Sequence, residues 1–407
     1  MLEKYTAKNG LRIVAEKMPY VRSVSFGIWV NVGSRYETPE ENGLTHFIEH
    51  MLFKGTKTRS AKQIAEDFDR IGAQTNAFTS KDQTCYYVVA MDQQIEEAVT
   101  ILADMFFHSV FDPEEMEKEK QVIAEEMAMT EDAPDDDVDE RLWAAMFEGH
   151  PLGAPILGTE TTLQSFTQQQ VKDFIRTHYT PDQVVLSVAG NFDDALISKL
   201  QTLFNQFENE ESRGVITFDQ PVFHAVETTK KSQVEQAHVV IGFPGLAVTD
   251  EQTIPYLVMN NIFGDSMSSR LFQKVREEKA LAYTVYSYYA AYQDTGAFMI
   301  YGGTSVKQRE LMEKTIFEVI EEFKQTGITE EELISAKRQL ESDLLLGLET
   351  SYDYMTRNAK NEIIYGRERT IEEALELLSH VTVEQVNAQI AATFNQPHAK
   401  SIISSEF

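Results

Sequence analysis

A chain of 407 residues is longer than one typical core organises and suits two domains of about 200 residues each. Its 42% hydrophobic and 25% charged residues are ordinary for a globular protein, and a net charge of −29 disfavours nucleic-acid backbones and anionic membrane surfaces as partners. No apolar run is long enough to span a membrane, and the N-terminal stretch "MLEKYTAKNGLRIVAEKMPY" lacks the apolar core of a signal peptide, so the expected location is cytoplasmic.

Along the chain, "RIVAEKM" and "VSFGIWVNVG" are rich in β-branched and aromatic residues and read as paired strands. "LTHFIEHMLF" has helical spacing, and "AKQIAEDFDRIG" is a helix with Ser60 as N-cap and Gly72 as stop. "TNAFTSKDQTCYYVVAM" returns to strand character and places the lone cysteine, Cys85, where a buried, inert thiol is expected. Two long helices follow, "QQIEEAVTILADMFFHSV" and "DPEEMEKEKQVIAEEMAMTED", the second opened by Asp112 and Pro113. The acidic run "EDAPDDDVDE" reads as a solvated loop. This mixture implies an α+β fold, each domain a mostly antiparallel sheet with helices on one face.

The polar tract "NEESRGVITFDQP", closed by Pro221, is the expected linker. It divides the chain into an N-terminal domain at 1–210, a linker at 211–221 and a C-terminal domain at 222–407. The two halves look duplicated. Thr167, Val171, Ile175 and Tyr179 align with Thr382, Val386, Ile390 and Phe394 at a constant offset, 382 − 167 = 215. "FDPEEMEKEKQVIAEEM" likewise aligns with "ITEEELISAKRQLESDL". Where the first copy has His46, His50 and Glu126, the second has Tyr256, Asn260 and Asp343, so only the first copy could hold a metal.

The chemistry concentrates in "GLTHFIEHMLFKGT". His46 and His50 are four residues apart, about 400° of helical rotation, so they share one face one turn apart. Two imidazoles so placed can ligate one cation, and Glu49 stands beside the second to act on water, the logic of H-E-x-x-H run in reverse. A catalytic zinc needs a third protein ligand. The acidic helix offers Glu114, Glu115, Glu117, Glu119, Glu125 and Glu126, and spacing alone does not choose among them.

"GLTHFIEHMLFKGT", "NAFTSKDQTCYYV", "EKEKQVIAEEM", "GHPLGAPILGT" and "SSRLFQKVREEKALAYTV" together resemble the pitrilysin/insulysin family of zinc metallopeptidases. The likeness is to its short-chain branch, similar to the mitochondrial processing peptidase β subunit and bacterial zinc proteases, and it runs over nearly the whole chain. It implies one Zn²⁺ per chain, with the third ligand 126 − 50 = 76 residues beyond His50, at Glu126. It implies a supporting role for Glu119 and makes Glu49 the general base. Arg276 and Tyr283 in "REEKALAY" become a substrate clamp, and Asn76, Ala77 and Phe78 an edge strand that receives extended peptide by strand addition. His150 in "GHPLG" reads as architectural.

By the same resemblance, two chains pair as a clamshell homodimer that cleaves short or unfolded peptides in its chamber. The place of a glycine-rich loop in the processing peptidase's partner subunit is taken here by "FGDSMSSRL", which favours general oligopeptide degradation. The rival expectation is a non-catalytic core or partner-dependent subunit; such relatives lose part of the metal set, and this chain keeps all of it.

Overall fold

The computed structural model describes residues 2–207 and 218–406, so most of the expected linker, 211–221, lies outside the described residues. The chain forms two compact α+β units, the first built from 1–127, 154–218 and 347–368, the second from 128–153, 219–346 and 369–407. Elements are numbered along the chain.

The first unit has strands β1 (Leu2–Thr6), β2 (Arg12–Lys17), β3 (Ser23–Val30), β4 (Gln74–Thr79), β5 (Thr84–Met91) and β6 (Val184–Gly190), ordered β1-β2-β6-β3-β5-β4. Only the β2–β6 pair is parallel, so the sheet is mixed but mostly antiparallel. One face packs on α1 (Leu44–Met51), α2 (Ala61–Ile71), α3 (Ile95–His108) and α4 (Pro113–Asp132), and on α6 (Glu160–Ser165), α7 (Gln168–His178) and α8 (Asp194–Phe204). Alternation along β3 explains the division. Val24, Phe26, Ile28 and Val30 enter this core, whereas Trp29 points to the opposite face.

That opposite face is also covered. Trp29, Cys85 and Val185 pack against Met355 and Ala359 of α12 (Ser351–Tyr365). Small residues let the helix approach: a Cβ on Gly27 would fall 2.7 Å from Met355 Sδ. Ser187 donates to the Met355 carbonyl at 2.7 Å, and Ser25 meets Ser351 at 2.9 Å, which satisfies hydroxyls buried under the helix.

The second unit repeats the plan with β7 (Glu227–Lys231), β8 (Gln236–Gly245), β9 (Ala282–Ala291), β10 (Gly296–Ser305) and β11 (Ala399–Ser404), ordered β7-β11-β8-β10-β9 with β7–β11 parallel. Helices α9 (Thr253–Phe263), α10 (Arg309–Thr326), α11 (Glu330–Leu346), α13 (Ile371–Ser379) and α14 (Val383–Phe394) lie on one face. On the other lies α5 (Pro134–Met146), whose Val138, Leu142 and Met146 meet Val240, Met299 and Ile403. Here a Cβ on Gly242 would fall 2.5 Å from Met146 Sδ, the same contact as Gly27 makes with Met355.

The compact units therefore differ from the contiguous halves 1–210 and 222–407: each copy's sheet is closed by a helix drawn from the other half of the sequence. The acidic run also differs from the expected loop. It opens α5, with Pro134 at the start, Asp135, Asp136 and Asp137 in the first turn, and a buried Asp137 bonded to Arg141 and Lys230. Carboxylates are favoured at a helix N-terminus by the exposed N–H groups there. Cys85 is buried, as expected.

Candidate metal centre and active site

Helix α1 begins at Gly43, whose φ of +94° suits glycine and whose Cβ, if present, would meet the Leu157 carbonyl at 2.5 Å. Glycine offers no capping side chain, and a distant carboxylate supplies the cap instead. Glu37 Oε2 accepts from Gly43 N–H at 2.8 Å and Oε1 from Thr45 N–H at 2.7 Å. Leu44, Phe47, Ile48 and Met51 bury one face of the helix, leaving His46, Glu49 and His50 half-buried on another.

Helix α4 brings up the glutamates. Of the six candidates, Glu114, Glu117 and Glu125 are exposed, while Glu119 is buried and Glu126 half-buried. Ligand atoms of His46, His50 and Glu126 all lie within 4.8 Å of one another. The two Nε2 atoms are 3.2 Å apart, and Glu126 Oε2 is 3.8 Å from His46 Nε2 and 3.6 Å from His50 Nε2. Two nitrogens bound tetrahedrally to zinc stand about 3.3 Å apart, so this donor set fits the ion with adjustments of a few tenths of an ångström. Burial, then the neighbouring His50, pushes His46 down to about 4, so the ring is neutral and its nitrogen can ligate.

Glu119 accepts from His50 Nδ1 at 2.9 Å, which fixes the tautomer and turns Nε2 toward the other ligands. Burial disfavours a charged His50, but the Glu119 hydrogen bond, followed by the Glu126 and Glu49 charges, outweighs it and raises His50. Burial raises Glu49 against the opposing hydrogen bond from Thr79.

Among the described residues, strand β4 is the outer strand of its sheet and pairs only with β5, so one edge of Asn76–Phe78 has no strand partner there. Thr79, at its end, donates to Glu49 Oε2 at 2.5 Å and ties this strand to the motif helix. An open cleft of about 660 Å³ lies alongside, lined by Glu49, His50, Phe53, Phe68 and Asn76 among others.

In the second unit, Arg276 sits in a π-helical stretch, Phe272–Glu278, and Tyr283 near the start of β9. Arg276 donates to the Tyr283 carbonyl at 2.9 Å, and its guanidinium lies 4.4 Å from the Tyr283 ring. Tyr283 is 76% exposed, so neither residue is committed to a core. The counterparts of the two histidines hold no metal set: Tyr256 is buried and Asn260 accepts from Ser287 at 2.7 Å.

Residues 12–160 match the family described as Insulinase (Peptidase family M16), and residues 165–340 match the Peptidase M16 inactive domain. The uncharacterized zinc protease YmxG of Bacillus subtilis is 48% identical over 405 residues, covering 99% of this chain and 98% of that protein. The chain belongs to the M16 peptidase family. The uncharacterized zinc protease SCO5738 of Streptomyces coelicolor is 37% identical, with 99% of this chain and 89% of that one covered. The crystal structure of a protease from Helicobacter pylori has the same fold, with a TM-score of 0.92 at 22% identity and 99% of both chains covered. The family's division into a peptidase half and an inactive-domain half agrees with the one-sided metal set.

Three residues around the centre escaped the sequence reading. Thr79 and Glu37 touch the motif helix from elsewhere in the chain, and nothing in their local sequence signals it. Lys54, whose Nζ lies 2.6 Å from Glu119 Oε2, follows the motif helix in "FKGT", where a cation beside a metal motif is the one local signal of an acidic partner. His150 accepts from Leu152 N–H at Nδ1 and lies 3.1 Å from the Asp219 carbonyl at Nε2.

Proposed function

We propose that this protein is a zinc-dependent endopeptidase acting on short or unfolded peptides. The observation that carries the reading is the convergence of His46, His50 and Glu126 next to Glu49, which is itself tied to an open sheet edge. Zinc held by those three ligands supplies Lewis acidity toward a peptide carbonyl and a water.

The chain's own groups do the rest. An extended peptide pairs along Asn76, Ala77 and Phe78, where backbone hydrogen bonds give affinity with little sequence preference. Glu49 takes a proton from the attacking water and returns it to the leaving amine. Its other oxygen is held by Thr79, so one face of the carboxylate stays aimed at the reaction. Glu119 keeps His50 in the tautomer with Nε2 free. Arg276 and Tyr283 offer a guanidinium and a phenol for the substrate carbonyl oxygen as charge develops on it.

The assembly that suits these parts is a homodimer, with the Arg276 and Tyr283 pair of one copy serving the metal centre of the other. No helix among the described residues is long and apolar enough to cross a membrane. Cleavage of an unstructured peptide should disappear on chelation and return with Zn²⁺, in a species that sediments as a dimer. Chelator-resistant cleavage would remove the metal from the mechanism, and full activity in a strict monomer would remove the dimer.

A further inference from the structure

We propose that Lys54 is a positioning residue for the metal centre: its ammonium fixes Glu119, and Glu119 fixes the ring of His50. This rests on the metal-centre reading above, so its test reads metal binding rather than turnover.

Glu119 is 3% exposed and uses both oxygens. Oε1 meets His50 Nδ1 at 2.9 Å, and Oε2 meets Lys54 Nζ at 2.6 Å. A carboxylate held at one oxygen can swing about its side-chain torsions. Held at both, it has a fixed plane, and the imidazole bonded to it inherits that plane. Lys54 also supplies the positive charge that a buried carboxylate requires beside a neutral, ligating imidazole. Without it, the acid carries an uncompensated charge and gains by turning toward solvent, which releases His50.

The backbone delivers this ammonium firmly. Lys54 lies in the turn that closes α1, its N–H donating to the Met51 carbonyl at 3.1 Å and that of Phe53 to the His50 carbonyl at 3.2 Å. Two residues later the chain is pinned again. Thr56 Oγ1 donates to Asp104 Oδ2 at 2.7 Å, and Arg59 Nη1 reaches the same oxygen at 2.6 Å. The helix carrying both histidines thus ends in a turn that returns a cation to the acid holding one of them.

The test is Zn²⁺ affinity of the full chain, measured by competition with a chromophoric chelator. Outer partners of metal-bound histidines typically matter by about 10- to 100-fold in affinity. Lys54→Met should weaken Zn²⁺ binding in that range, and Lys54→Arg should retain it. In a Glu119→Gln background, Lys54→Met should cause no further loss, because the effect passes through that carboxylate. Lys54→Gln carries the measurement if circular dichroism shows that Lys54→Met does not fold. Unchanged affinity in the neutral variants, or an equal loss in the Glu119→Gln background, overturns the inference. A wild type that binds no Zn²⁺ overturns it together with the metal centre, whereas one that binds Zn²⁺ and cuts nothing overturns only the peptidase reading.

Discussion

Thr79 and Glu49 are thirty residues apart in sequence and 2.5 Å apart in space, so the end of the open strand is bonded directly to the proposed base. Loss of one hydrogen bond to a charged group is worth about 1.5–3 kcal/mol, or roughly ten- to a hundred-fold in rate if it acts only in the transition state. Thr79→Val keeps the shape and removes the donor. It should lower kcat by about ten-fold or more with KM nearly unchanged, and Thr79→Ser should restore most of it. Steady-state kinetics at matched zinc content decides, and a change confined to KM would mean that Thr79 serves peptide binding instead. At this scale the sequence was legible where chemistry is local. His46, Glu49 and His50 declare themselves by helical spacing, but Glu126 had to be picked from six acids through family resemblance. Side-chain bonds that join distant segments, such as those of Thr79 and Glu37, have no sequence periodicity to reveal them.

At the level of elements, local rules worked well. Ser60 and Gly72 bracket α2 through a capping box and a left-handed C-cap. Thr167 and Thr382 begin α7 and α14 with the same capping box, which is the duplicated pattern in physical form. Helix α1 departs from these rules, since its cap is Glu37 rather than a neighbouring side chain. Glu37→Ala would leave two buried N–H groups without their acceptor and should destabilise the metal-free protein by about 1–3 kcal/mol in urea unfolding. The same group sets a pH dependence. Burial raises Glu37 from 4.5 to about 7 despite opposing hydrogen bonds from Thr45, Gly43 and Asn42. The native chain therefore keeps a proton that the unfolded chain releases near 4.5. Over that interval the unfolded state binds fewer protons, and the Glu37 contribution to stability declines as pH rises through about 7. Glu37→Gln should flatten this part of the profile; an unchanged slope would show that another group produces it.

The whole molecule is shaped by an exchange of helices between the halves of the sequence. Helix α12 covers Trp29, Cys85 and Val185 on the first sheet, and α5 covers Val240 and Met299 on the second. Repeats in the sequence revealed the duplication, yet neither helix announces which sheet it joins. That choice depends on shape, on Gly27 and Gly242 admitting Met355 and Met146. A fragment ending at residue 207 lacks α12 and should remain molten, with weak near-ultraviolet circular dichroism. Co-expression with 218–407 should restore a cooperative fold. A fragment that folded cooperatively alone would show that α12 is dispensable to its sheet.

In the proposed peptidase, the proton transfers pass through Glu49. The most direct measurement compares cleavage of an internally quenched, unstructured peptide library by wild type and Glu49→Gln at equal zinc content. Cleavage by the wild type and its loss in the variant are expected, with zinc retained by both. Equal cleavage by the two would take the base role from Glu49, and absence of cleavage from both would make this metal centre that of a non-catalytic or partner-dependent subunit.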